Sequence, residues 1–145
     1  MRNILTYILI LVFISCGNVK SVYETKILDS DINSIKNILD KSNAKDVNKT
    51  ILVFTTGFEQ DSLELSNEND VIYNKSLNTM STGMALAKVV DNNKSVKIRF
   101  YSNKREDIIL KSKKLKKYKF IYISKNLNKN NQYLITYSNV YKGFS

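Results

Sequence analysis

The chain has 145 residues, with Lys+Arg 23 against Asp+Glu 13, no His, no Pro, no Trp and one Cys, and 43% of it is hydrophobic, which suits one small domain. Without His it lacks the commonest general base and metal ligand, and a lone Cys supports neither an intramolecular disulfide nor a thiolate metal cage. No catalytic residue, cofactor or metal site is predicted, and most hydrolase chemistries are disfavoured.

Arg2 supplies a positive start to Ile4–Ile14, an apolar run of 11 residues broken only by Thr6. Such a run is short for a bilayer span and fits a secretory signal. It ends in Phe13-Ile14-Ser15-Cys16-Gly17, which resembles the lipobox of bacterial lipoproteins. The resemblance covers residues 1–17 and implies a signal peptide over 1–15, cleavage between Ser15 and Cys16, a diacylglyceryl thioether on Cys16 and an acyl chain such as palmitate on the freed amine. Two or three chains hold a protein on a membrane where one binds only marginally, and acylation removes a free thiol from an exported protein. The expected address is the extracytoplasmic cell envelope, on a bacterial membrane, the outer ahead of the inner. Nucleic acid is not expected as a partner there.

Residues 16–27 are polar with isolated Val19, Val22 and Tyr23 and read as a lipidated tether, which leaves 28–145 as the folded domain. Leu28, Ile32, Ile35 and Leu39 recur at helical spacing behind the capping candidates Asp29, Ser30 and Asp31, predicting a short amphipathic helix over 29–41. From Thr50 onward, segments rich in Ile, Val, Tyr, Phe and Thr alternate with polar clusters: 50–58, 62–65, 71–77, 84–90, 95–101, 107–110, 118–124 and 132–138. About eight short strands with no helical crossover between them predict a single antiparallel β-sandwich. Asn67-Glu68-Asn69-Asp70 and Asp91-Asn92-Asn93-Lys94 read as hairpin turns. In 95–101, Val96, Ile98 and Phe100 alternate with Lys97, Arg99 and Tyr101, so the first set is expected inward.

A loop centred near 127 and 128 sets Tyr118 opposite Tyr137, Phe120 opposite Ile135 and Tyr122 opposite Tyr133, an aromatic ladder on one face. Lys119, Ile121 and Ile123 against Thr136, Leu134 and Gln132 make the other face largely apolar as well, which predicts a central position in the sheet. The ladder tyrosines Tyr118, Tyr122, Tyr133 and Tyr137 read first as core, in a chain without Trp, and second as a stacking platform for sugar rings.

The charge is segmental: residues 16–93 hold 8 basic and 11 acidic groups, residues 94–125 hold 12 and 2. Its centre is Lys111-Ser112-Lys113-Lys114-Leu115-Lys116-Lys117-Tyr118-Lys119. Lys111, Lys113, Lys114, Lys116 and Lys117 read either as a solvated connection that protects a strand edge or as a contact surface for anionic lipid or acidic glycan. Lys119 is set apart as a strand residue.

Glu59, Asp61 and Glu64 are carboxylates on one polar turn, expected to be solvated rather than catalytic. Asp70, Asp91, Asn92 and Asn93 match no calcium-loop signature and read as turn residues. Ser81-Thr82-Gly83 has no His or Lys partner for a nucleophile, and Gly83 and Gly57 suggest backbone conformations only glycine takes easily. Beyond the lipobox the chain resembles small single-domain envelope lipoproteins whose roles are unassigned. The expected function is a lipid-anchored, non-enzymatic envelope protein that binds or supports an acidic glycan or lipid headgroups. The alternatives are an inhibitor or accessory of an envelope enzyme such as lysozyme, disfavoured because a basic enzyme calls for an acidic partner, and a weak Ca-dependent or carbohydrate-binding module.

Overall fold

The computed structural model describes residues 19–24, 32–101, 107–126, 128 and 132–142. In chain order these form β1 (Val19–Tyr23), α1 (Ile32–Lys41), β2 (Lys49–Phe54), β3 (Asp61–Ser66), β4 (Val71–Leu77), β5 (Leu86–Asp91), β6 (Val96–Phe100), β7 (Ile108–Leu110), α2 (Ser112–Leu115), β8 (Phe120–Asn126) and β9 (Gln132–Ser138). The strands make a five-stranded sheet in the order β1-β9-β8-β2-β5 and a four-stranded sheet in the order β4-β3-β6-β7, a sandwich-like arrangement.

Alternation explains the inner core. Leu63 and Leu65 of β3, and Val96, Ile98 and Phe100 of β6, face Leu52 and Phe54 of β2, Ile121 and Ile123 of β8, and Tyr133, Ile135 and Tyr137 of β9. Phe100 stacks on Tyr133 across the sandwich, centroids 4.6 Å apart and planes at 8°. The inward set expected in 95–101 is the one observed. The five-stranded sheet also buries its outer face, where Ile51, Val53, Phe120 and Tyr122 pack under Leu39, Ala44, Met84 and Tyr141. Burial on both faces requires the continuous apolar runs at Thr50–Phe54 and Phe120–Ile123. The helix that covers this face ends at Lys41, and Asn43 takes a positive φ of 53°. The Ala44 N–H then reaches Leu39 O and the Asn43 N–H reaches Asp40 O, the paired closure that satisfies a helix's last carbonyls. Leu28 and the capping candidates Asp29, Ser30 and Asp31 lie outside the described residues.

The fold departs from the expected all-antiparallel sandwich. β1 runs parallel to β9 and β2 parallel to β8, while every pair in the four-stranded sheet is antiparallel. Parallel neighbours need a long return path, and here both paths run through the strands of the second sheet. For the same reason Asp91-Asn92-Asn93-Lys94 is not a hairpin turn: it carries the chain from β5 in one sheet to β6 in the other. Asn67–Asp70 does close the β3–β4 hairpin, with Asn67 Oδ1 accepting the N–H groups of Asn69 and Asp70. Residues 19–23, read as tether, form an edge strand whose partner lies more than a hundred residues away in sequence, where local patterning carries no signal.

The β8–β9 hairpin pairs Phe120 with Ser138, Tyr122 with Thr136, Ile123 with Ile135 and Lys125 with Tyr133. This register differs by three residues from the expected one, and an odd slip exchanges faces. The aromatic ladder therefore does not form: Phe120 and Tyr122 face outward under the helix, and Tyr133 and Tyr137 face the inner core. β8 does hold the central position expected of it.

Candidate functional site

The lysine segment is a built feature, not an open linker. Leu115 is 1% exposed and plugs the inner core, which seats the single turn of α2 at the end of the sandwich. Thr50 Oγ1 donates toward Leu115 O (2.9 Å) and Tyr118 O (3.2 Å). The Ser112 hydroxyl donates to Asn92 O at 2.9 Å, and Asn92 is itself buried, giving its amide to Val47 O. On the far side Asn139 Oδ1 accepts the Lys119 N–H while its amide donates to Lys117 O. Lys119 lies over the chain before β2, its Nζ on Asp46 O and Lys49 O, and burial holds its ammonium below the ordinary lysine range. Lys119 falls just before β8 and not within a strand as expected, yet its packing does set it apart from the run.

The five lysines of the run separate into two kinds. Lys114 folds back over Tyr23, its Nζ 4.0 Å from the ring centre and 2.7 Å from the hydroxyl. Tyr23 in turn stacks on Tyr137 at 5.0 Å and leans on Tyr118 at 6.0 Å. Lys111, Lys113, Lys116 and Lys117 are exposed, and among the described residues none of them makes an ion pair. At about 100° per residue, Lys113 and Lys117 lie opposite Leu115, and Lys116, the C-cap, lies on the flank between them. The buried leucine thus fixes the side of the turn from which Lys113 and Lys117 leave the backbone.

Of the ladder tyrosines, Tyr122, Tyr133 and Tyr137 follow the first reading, as core, and not the second, as a stacking platform. Tyr122, Tyr133 and Tyr137 are each at most 5% exposed and Tyr118 is half-buried. Burial pushes the phenols of Tyr122 and Tyr137 up from the usual tyrosine range. The Tyr122 hydroxyl donates to Val140 O and accepts the Lys142 N–H, tying down the last described segment. Sequence reasoning missed Tyr23, the exposed ring of the trio, because an isolated tyrosine in a polar stretch carries no strand signal.

Two of the three turn carboxylates, Asp61 and Glu64, make side-chain contacts within the fold. Asp61 was expected in solvent but is 2% exposed and pairs with Lys125. Glu59 is exposed on the same turn, and Glu64 accepts the Tyr101 hydroxyl at 2.6 Å. Asp91 accepts the Asn93 N–H, which holds its carboxyl below the usual range. Among the described residues no group of three His, Cys, Asp or Glu is placed to hold a metal ion. Gly57 and Gly83 both take positive φ, 88° and 79°.

A second surface lies at the other end of the five-stranded sheet. Lys20, Thr56, Ser124, Asn126, Asn128 and Gln132 line an open groove of about 530 Å³, next to a hollow of about 360 Å³ under Thr55, Thr136 and Lys142. Gly57, Lys125 and Leu134 complete the groove, and Tyr122 lines the hollow. Ser15 and Cys16 lie outside the described residues, and no helix among the described residues is long and apolar enough to cross a membrane. Comparison of the chain with protein-family models, with curated proteins and with solved structures finds no match.

Proposed function

We propose that the chain is a lipid-anchored, non-enzymatic protein of the bacterial cell envelope that binds a polyanionic component, an acidic glycan or anionic headgroups, through the lysines of α2 and its flanks. The observation that carries this reading is the contrast within the run: Lys114 and Lys119 are engaged by the fold, while Lys111, Lys113, Lys116 and Lys117 stand exposed on a backbone pinned by Leu115, Thr50 and Asn139. A charge array that is already positioned loses less ordering entropy on binding than a floppy lysine tail does. The lipobox-like Ser15-Cys16-Gly17 supports the anchoring part, and the absence of His from the sequence supports a binding role over catalysis.

The lysozyme-inhibitor alternative gains nothing from this site, because a cationic face repels a basic enzyme. Of the calcium candidates Asp70, Asp91, Asn92 and Asn93, Asp91 accepts the Asn93 N–H of its own turn and Asn92 is buried with its amide on Val47 O, which favours the turn reading.

The test has two arms. Metabolic labelling with a fatty-acid analogue should mark the wild-type chain and not Cys16→Ser; an unlabelled wild type overturns the anchoring. Lipid-free protein starting at residue 17 should bind polygalacturonate or phosphatidylglycerol vesicles at low salt and weaken steeply as the Debye length falls to about 8 Å at physiological ionic strength. Neutral phosphatidylcholine should bind little. Equal binding by wild type and a variant with Lys111, Lys113, Lys116 and Lys117 changed to Gln overturns the lysine surface, and turnover in a broad hydrolase screen overturns the non-enzymatic reading.

A further inference from the structure

We infer that the lysine face of α2 points away from the bilayer that holds the protein and takes an acidic polysaccharide rather than the headgroups of that bilayer. The inference rests on the proposed acylation of Cys16 and adds to it the direction of β1.

β1 runs parallel to β9, with Val19 opposite Tyr133 and Tyr23 opposite Tyr137. β8 runs antiparallel to β9, so Asn126 lies opposite Gln132 and Phe120 opposite Ser138. The start of β1 and the tip of the β8–β9 hairpin therefore share one end of the sheet. The end of β1, the start of β8 and α2 share the other, where Lys114 touches Tyr23.

Cys16 precedes Val19 by three residues, and three residues reach at most about 10 Å. An acyl anchor at Cys16 thus holds the hairpin end at the membrane surface. The seven residues of β8 put about 20 Å of strand between that end and α2, at about 3.3 Å per residue. This is more than twice the Debye length of about 8 Å at physiological ionic strength, so Lys113, Lys116 and Lys117 are screened from the headgroups below. Their partner is an anion that approaches from the distal side. The cleft beside them, lined in part by Lys116, Lys117 and Asn92, measures about 130 Å³ and does not take in Lys113. Charges spread from that cleft to Lys113 match a chain of repeating carboxylates or phosphates, which an acidic polysaccharide presents and a small anion does not.

The test uses the full acylated chain in vesicles. Because the only native Cys carries lipid, Lys113→Cys or Asn128→Cys introduces a single free thiol for a fluorophore. In phosphatidylcholine vesicles with nitroxide-bearing headgroups, the label at position 128 should be strongly quenched and the label at position 113 little. Polygalacturonate should bind the anchored protein equally on vesicles with and without phosphatidylglycerol, and Lys113→Gln, Lys116→Gln and Lys117→Gln together should weaken it by roughly a hundredfold at low salt, at a several-fold loss per lysine. Equal quenching at both positions, or loss of polygalacturonate binding when phosphatidylglycerol is added, overturns the inference while leaving the anchor in place. Polygalacturonate binding that survives the lysine changes and disappears with Asn126→Ala and Gln132→Ala overturns it in favour of the groove. A wild-type chain without lipid on Cys16 fails earlier, at labelling, and overturns the anchoring and the inference together.

Discussion

Lys125 of β8 and Asp61 of β3 join the two sheets through an ion pair, Nζ to Oδ1 at 2.7 Å, with side chains only 10% and 2% exposed. The other Asp61 oxygen accepts the Glu59 N–H, which sets the turn leading into β3. Directly behind Lys125 sits Gly57, and the Lys125 N–H donates to Thr56 O. The pair is thus one corner of a clamp that closes this end of the sandwich.

Removing one partner leaves the other charge buried, which costs about 3 to 5 kcal/mol where replacing both by apolar groups costs far less. Asp61→Ala is therefore expected to lower unfolding stability by about that amount in urea titration, and Asp61→Leu combined with Lys125→Met to recover most of it. A double variant no better than Asp61→Ala alone would show that the pair is not the source of the loss.

The same corner predicts opposite fates for two glycines with similar backbones. A Cβ on Gly57 would lie 2.0 Å from Lys125 O, whereas the nearest atom to a Cβ on Gly83 is Thr56 Cγ2 at 3.9 Å. Gly83→Ala should cost only the left-handed strain of about 1 to 2 kcal/mol. Gly57→Ala adds displacement of a β8 carbonyl and should cost about 3 kcal/mol or more, close-packed interiors tolerating little added volume. Thermal midpoints of the two variants check the ordering.

How much of this was legible in the sequence depended on whether the deciding interaction was local. Alternation located β6 and its inward Val96, Ile98 and Phe100, because a half-exposed strand writes its two faces directly. The β8–β9 register was misread because both faces of that hairpin are apolar, so a slip of three residues left the pattern looking equally good. What fixes the register is tertiary: Tyr122 needs Val140 O for its hydroxyl and Tyr133 needs the face of Phe100. Asp61 looked like a solvated turn residue for the same reason, its partner Lys125 lying 64 positions away. The lysine run was visible as composition, but the separation of Lys114 from its neighbours needed Tyr23, which joins the sheet only through β9.

Arg99 grips Asp107 with two hydrogen bonds, Nε to Oδ1 at 2.8 Å and an Nη to Oδ2 at 2.7 Å. These bonds hold the Asp107 carboxyl below its ordinary value. A carboxylate whose folded pKa is depressed contributes stability that is present above its unfolded pKa of about 3.9 and is lost as pH falls through the folded value. Asp107→Asn should therefore be less stable than wild type at neutral pH, with the difference shrinking in acid. A stability gap that stays constant from neutral pH down through the carboxylate range would show that the ionised form is not what Arg99 favours.

The final expectation separates Lys114 from the exposed lysines around it. Its ammonium sits on the face of Tyr23, and Tyr23 ends an edge strand that among the described residues pairs with β9 alone. Cation–π contact at an exposed site contributes about 0.5 to 1 kcal/mol, and here that contribution bears on the docking of β1. Lys114→Gln should lower global stability by about that much and speed amide exchange of the β1 residues before the rest of the five-stranded sheet responds, since an edge strand opens at lower free energy than a central one. Lys113→Gln, Lys116→Gln and Lys117→Gln, exposed and away from such contacts, should each stay within about 0.5 kcal/mol of wild type and leave β1 exchange unchanged. If Lys114→Gln behaves like those three in both measurements, β1 is held by its ladder to β9 alone and the Lys114–Tyr23 contact carries no part of the docking.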